Sequence, residues 1–210
     1  MTEINISVSK KYDVFSNIYD WFFKYYTRKT IAKAIQFAPL KGKEKICDIG
    51  CGTGALEQAL LHLYPSLNIS ACDVSFGMMA KAIKKLHGFP QVTFYSGDFL
   101  QTPLEENGYD IVFTLSNLQY FFKPEAIFQK AFRLARPGGY LVLLDWTRLR
   151  LRSKIYEEIK GFLDKGFHKF YSIPDTEILL KKTGWIPEAH ENFSVQWFWN
   201  LMVLRARKPL

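Results

Sequence analysis

Only three cysteines occur in the 210 residues, Cys47, Cys51 and Cys72. An odd count with no CxxC pair excludes a disulfide framework and points to reduced thiols in a cytoplasmic protein. The four histidines, His62, His87, His168 and His190, are scattered and share no ligand spacing with the cysteines, so no metal is expected. Glycine and proline are sparse, at 13 and 9 residues, and no Gly/Ser-rich or Pro-rich linker or internal repeat divides the chain. No apolar run approaches the roughly 18 residues of a membrane span. Met1 to Lys10 (MTEINISVSK) lacks the apolar stretch of a secretion signal.

What remains is a packed composition, with 48% hydrophobic and 23% charged residues, which excludes disordered and collagen-like classes. The length suits one domain over 1–210, divided into a helical lid (1–40), a core (41–145) and substrate-side helices with a closing hairpin (146–210). The net charge is +8 and unevenly placed. Lys41 to Asp145 carries ten basic and ten acidic residues, whereas 10–33 carries six against two and 148–182 nine against five. Basic flanks around a neutral core suit an anionic partner or surface, and equally a solvated face that only maintains solubility.

Apolar residues at Phe15, Ile18, Tyr19, Phe22, Phe23 and Tyr26 follow helical spacing, continued by Thr30–Phe37 and closed by Pro39 and Gly42. Strand and helix patterns then alternate. Lys45–Ile49 reads as a strand, Ala55–Leu63 as a helix, Asn68–Asp73 as a strand and Phe76–Leu86 as a helix. Strands at Val92–Tyr95 and Tyr109–Thr114, a helix opened by Pro124, and a strand at Tyr140–Asp145 after a stop at Arg136–Gly139 complete the run. That order predicts an α/β fold, a doubly wound and mostly parallel sheet in a Rossmann-like αβα sandwich. Helices at Leu151–Gly166 and Pro174–Lys182 are followed by an alternating pair, Ile186–Phe193 and Phe198–Arg207, expected as an antiparallel C-terminal strand pair.

Asp48-Ile-Gly50-Cys-Gly52-Thr-Gly54 sits where the first strand turns into a helix, so glycines admit a ligand to free backbone N–H groups. With Ala55 it also satisfies GxGxxA, which keeps a nicotinamide-dependent oxidoreductase open. Asp48 argues against pyrophosphate and for a ligand bearing an ammonium group. Asp73, ending the second strand, suits the hydroxyls of a ribose. Gly97-Asp98-Phe99, after the third, offers a carboxylate to an exocyclic amine and an N–H to a ring nitrogen.

Through DIGCGTG at 48–54, Asp73 in CDVS, GDF at 97–99 and RPGG at 136–139, the sequence resembles the class I S-adenosylmethionine-dependent methyltransferases over roughly residues 12–145. The resemblance implies S-adenosyl-L-methionine as cofactor, with S-adenosyl-L-homocysteine as product. It implies that Gly50, Gly52 and Gly54 flank the methionine part, that Asp73 with Val74 holds the ribose, that Met78 packs on adenine, and that Asp98 and Phe99 read its edge. It places residues of the Leu115–Tyr120 loop beside the sulfonium and the acceptor. From the residues themselves, Asn117 and Tyr120 are expected in the acceptor pocket and His168 as a proton acceptor. Tyr12-Asp-Val-Phe-Ser-Asn-Ile-Tyr-Asp20 is similar to the lid of the ubiquinone/menaquinone and phospholipid-N-methylating groups, which implies Tyr12 or Tyr19 near the methionine carboxylate.

No NPPY, DPPY or Pro-Cys follows the fourth strand, so DNA is not the expected substrate, and RNA motifs are absent. The aromatic and basic lid suits a lipid-like or small-molecule acceptor and peripheral contact with an anionic membrane, or else it merely caps the sheet. Trp146, His168, Tyr171, Trp197 and Trp199 are candidates for an acceptor pocket. A basic membrane- or RNA-binding protein without catalysis is the competing class, and monomer and homodimer are both compatible with the sequence.

Overall fold

A computed structural model describes residues 23–148, 166–196 and 199–210. Helix α1 (Lys24–Phe37) leads into β1 (Lys45–Ile49), α2 (Ala55–Leu63), β2 (Asn68–Asp73), α3 (Phe76–Lys85) and β3 (Val92–Ser96). After a short 3-10 turn, Phe99–Gln101, come β4 (Tyr109–Leu115), a second such turn (Leu118–Tyr120), α4 (Pro124–Leu134) and β5 (Ala135–Trp146). Helix α5 (Ile173–Lys182), β6 (Ile186–Val195) and β7 (Trp199–Arg207) complete the described elements.

The seven strands lie in the order β3-β2-β1-β4-β5-β7-β6. The first five are parallel, and β7 runs antiparallel to both β5 and β6, as the alternating C-terminal pattern predicts. Both faces of the sheet are covered, which is why the central strands read as near-continuous apolar runs. One face packs Val112, Leu141 and Leu143 with Phe128, Leu180 and Trp185, and the other packs Ile46, Phe113 and Val142 with Leu60 and Tyr26.

Helix starts follow local chemistry. Ser75 caps α3 by accepting from the Met78 N–H at 3.2 Å, Pro124 occupies the first turn of α4, and Ser172 with Asp175 forms a capping box on α5. The expected stop at Arg136–Gly139 is a correction, because β5 already begins at Ala135. Its register with β4 jumps from Tyr109↔Ala135 to Ile111↔Tyr140, so the Pro-Gly-Gly segment is a bulge inside the strand. A side chain at Gly139 would lie 2.9 Å from the Arg136 carbonyl.

The chain winds β1-β2-β3 in one direction and returns to β4, so the sheet's switch point falls between the C-terminal ends of β1 and β4, where ligands bind in such sheets. The glycine loop and the Leu115–Tyr120 segment both emerge there. The lid residues before 23, Tyr12 and Tyr19 among them, the helix expected over Leu151–Gly166 up to residue 165, and Trp197 fall outside the described residues.

Candidate active site

At this switch point lies a cavity of about 160 Å³. Of the residues expected from sequence, Gly50, Gly52, Asp73, Val74, Met78, Asp98, Phe99, Leu115, Asn117 and Tyr120 line it, joined by Ile49, Cys72, Gly97, Ser116, Phe121 and Ile127.

Asp73 is held for its task. Its Oδ2 accepts the Gly52 N–H at 2.8 Å and its Oδ1 the Ser75 N–H at 2.8 Å, so one carboxylate ties β2 to the glycine loop with both oxygens oriented before any ligand arrives. Gly52 and Gly97 lie at φ +56° and +128°, and a Cβ on either would meet nothing within 4 Å. Both therefore border open space. Asp98 caps the following turn through Oδ1, which accepts the Leu100 N–H at 3.0 Å.

That turn rests on a residue the sequence reading passed over. Lys130 of α4, only 7% exposed, sends its Nζ to the carbonyls of Phe99 (2.6 Å), Leu100 (3.2 Å) and Thr102 (2.6 Å) and lies 5.0 Å from the centre of the Phe99 ring. Its position beside Ile127 and Ala131 on the apolar face of α4 was the one available signal. Burial lowers its pKa, yet three carbonyl acceptors fit a charged ammonium. Lys130→Met is expected to cost about 2–4 kcal/mol, since buried carbonyls lose a charged donor. Chemical denaturation checks this, and an unchanged midpoint would refute the structural role.

The Leu115–Tyr120 segment is pinned at three points. Asn117 Nδ2 donates to the Ile49 carbonyl at 2.7 Å and the Leu115 carbonyl at 2.9 Å, making it a strut between β1 and β4 that also borders the cavity. Asp145, buried at the end of β5, accepts the Leu118 N–H at 2.6 Å. Ser116, in the left-handed region at φ +61°, shares a 2.9 Å hydrogen bond with the Tyr26 hydroxyl, which accepts the Trp146 Nε1–H at 2.8 Å. This chain from α1 through β5 to the cavity is long-range in sequence and left no local pattern.

Three expected residues are placed elsewhere. His168 is exposed, its backbone N–H donating to the Gln119 carbonyl at 2.8 Å and its ring 5.0 Å from that of Phe122; it is not among the residues lining the cavity. Gly54 caps α2 at φ +77°, and a Cβ there would lie 2.8 Å from Leu86 and 3.1 Å from Ala82, so it serves the packing of α3. Asp48 is buried behind the loop and faces a second, smaller cavity under α1.

Of the aromatics expected around an acceptor, Trp146 and Trp199 cluster with Tyr26 and Phe170. Trp146 stacks on Phe170 at 5.8 Å and packs against Tyr26, and Tyr26 meets Trp199 edge-on at 4.9 Å. Tyr171 lies in the core on the other side of the sheet, with burial pushing its hydroxyl up to about 12. The three cysteines are buried and free of disulfides.

Fold and site together define a class I methyltransferase domain of the S-adenosylmethionine-dependent kind. Residues 46–139 match the family described as a methyltransferase domain. Malonyl-[acyl-carrier protein] O-methyltransferase 1 of Ilyobacter polytropus is 27% identical over 177 residues, 81% of this chain and 64% of that protein. The ubiquinone/menaquinone biosynthesis C-methyltransferase UbiE of Campylobacter jejuni is 32% identical over 126 residues, 58% of this chain and 52% of that protein. A phosphoethanolamine N-methyltransferase 2 of Haemonchus contortus, solved with phosphomonomethylethanolamine and S-adenosylhomocysteine, shares the fold at a TM-score of 0.81 and 18% identity, covering 100% of this chain and 61% of that one. The chain thus spans about a third to two thirds of the length of the curated relatives it matches.

Proposed function

We propose that the protein transfers the methyl group of S-adenosylmethionine to a small, hydrophobic or amphipathic acceptor. The observation that carries this reading is one cavity bounded by a pre-oriented Asp73, the open backbone at Gly52 and Gly97, and the pinned Leu115–Tyr120 segment. These residues fit the cofactor: Asp73 for the ribose hydroxyls, Met78 and Phe99 for the faces of adenine, Asp98 for its edge, and Gly50 to Gly52 with Leu115 for the amino-acid end. When bound, the cofactor supplies an electrophilic methyl on a sulfonium.

In this mechanism the chain's own contribution is alignment and exclusion of water. Asn117 fixes the distance between the glycine loop and the acceptor segment, while Tyr120 and Phe121 border the acceptor side. The acceptors of the relatives differ widely, from a carrier protein through quinones to phosphoethanolamine, so the acceptor is assigned here by chemistry alone. The aromatic cluster of Tyr26, Trp146, Trp199 and Phe170 supports an apolar body. The outer face of α1, exposing Lys24, Tyr25, Arg28 and Lys29, supports one presented at an anionic surface. Among the described residues no helix is long and apolar enough to cross a membrane.

Calorimetric titration with S-adenosylhomocysteine, with NAD and NADP as parallel ligands, tests the cofactor assignment. Micromolar binding of the first alone is expected on the scale of about 8 kcal/mol. A response to a nicotinamide nucleotide alone would replace the reading with that of an oxidoreductase.

A further inference from the structure

Beneath the glycine loop, β1 and α2 bury two carboxyl groups together. Asp48 is 2% exposed and Glu57 0%. No described donor reaches Asp48 Oδ1 or either oxygen of Glu57. Glu57 is a hydrogen-bonding neighbour of Asp48, and because ionised carboxylates only accept, a bond between the two side chains requires a proton. Burial, followed by the neighbouring Glu57, pushes the Asp48 carboxyl well above the usual carboxylate range, and burial raises Glu57 to about 6.

Among the described residues the pair's neighbours are mostly acidic or neutral. From the end of β2, Asp73 adds negative charge that disfavours ionisation of both acids, and Cys51 and Cys72 are neighbouring thiols. Lys85 of α3 favours ionised Glu57, but its Nζ donates to Thr53 Oγ1 at 3.1 Å. Helix α1 contributes Tyr26, Thr27, Thr30 and Ile31, none of them charged at neutral pH, to the cavity of about 80 Å³ that Asp48 faces. That cavity shares Gly50, Gly52, Leu115 and Ser116 with the larger one, so Asp48 lies behind the loop assigned to the ligand's amino-acid end.

Resting on the cofactor reading, we propose that Asp48 and Glu57 jointly hold one proton while the site is empty, and that a ligand ammonium group reaching Asp48 displaces it to solvent. Glu57 is then a positioning residue, acting on the ligand only through Asp48. The balance is simple: the ammonium N–H bonds replace the shared proton, the pair goes from one negative charge to two, and the ligand brings the compensating positive charge. The sign follows by linkage. Binding that releases a proton strengthens as pH rises, by up to about tenfold per pH unit while the pair is protonated, and levels off above its titration.

The test is calorimetry on the full chain at a fixed pH near neutrality in two buffers of unlike ionisation enthalpy, which counts protons directly. S-Adenosylhomocysteine is expected to release about one proton. 5′-Methylthioadenosine, which keeps the adenine and ribose but lacks the ammonium, is expected to release none. Glu57→Gln should bind S-adenosylhomocysteine with proton release largely lost and a flatter pH profile. Binding without proton release in the natural chain, or equal release with both ligands, overturns the proposal and leaves the cofactor reading intact. Absence of S-adenosylhomocysteine binding at every pH overturns the cofactor reading and the proposal with it. Comparison of the two ligands on the natural chain decides the matter even if Glu57→Gln fails to fold.

Discussion

Gly50→Ala is expected to lower stability by about 3 kcal/mol and to abolish S-adenosylhomocysteine binding, because strain and a steric collision fall on the same atom. Gly50 lies at φ +77°, and a Cβ there would stand 2.5 Å from Cγ and Oδ1 of Asn117. The amide cannot simply swing away, since its Nδ2 bridges the carbonyls of Ile49 and Leu115. Relief would break the strut between β1 and β4 and leave buried carbonyls unpaired. Gly52→Ala is the informative contrast: its φ of +56° costs about 1 kcal/mol, but its Cβ meets no protein atom within 4 Å. It should fold and still fail to bind. Thermal melts and calorimetry on both variants separate the effects, and a Gly52→Ala protein with unchanged affinity would mean the open space is not where the ligand lies.

Asp73→Ala is expected to weaken S-adenosylhomocysteine binding by about 3 kcal/mol, or roughly 150-fold, as adjacent ribose hydroxyls lose a charged acceptor. The same substitution frees the Gly52 and Ser75 N–H groups that its oxygens now accept. Asp73→Asn keeps one acceptor oxygen and should lose about half as much free energy. 5′-Methylthioadenosine carries the same ribose, so the loss should be the same for both ligands in calorimetry. A loss confined to S-adenosylhomocysteine would move Asp73 from the ribose to the amino-acid end.

Most of the sheet was legible because its signals are local. Asn68–Asp73 and Ala55–Leu63 fall where alternation and helical spacing put them, and Asp73, Met78, Asp98 and Phe99 reach the cavity because each follows or ends a parallel strand whose C-terminal edge is shared. Residues acting across the fold were hidden. Lys130 looks like an ordinary surface lysine until α4 packs on the turn after β3, and Tyr26 gains meaning only when Trp146, 120 residues later, donates to it. No local pattern fixes the direction of His168, whose ring ends beside Phe122 rather than among the cavity-lining residues. The Pro-Gly-Gly bulge was read as a boundary because turn residues serve both uses, and the register with β4 distinguishes them.

That bulge also receives the segment Lys208–Leu210. Gly138 N–H donates to the carbonyls of Lys208 and Pro209, and Lys208 Nζ reaches the carbonyls of Phe132 and Ala135 at 2.8 and 2.7 Å. Leu210 stands at the start of β5, the edge of the sheet opposite the cavity, and is 94% exposed. A tether placed after Leu210 would therefore hold the molecule with its ligand mouth turned away from a support. Oriented immobilisation by this end gives acceptor-bearing vesicles and dissolved acceptors the same access, so their uptake can be compared on one surface.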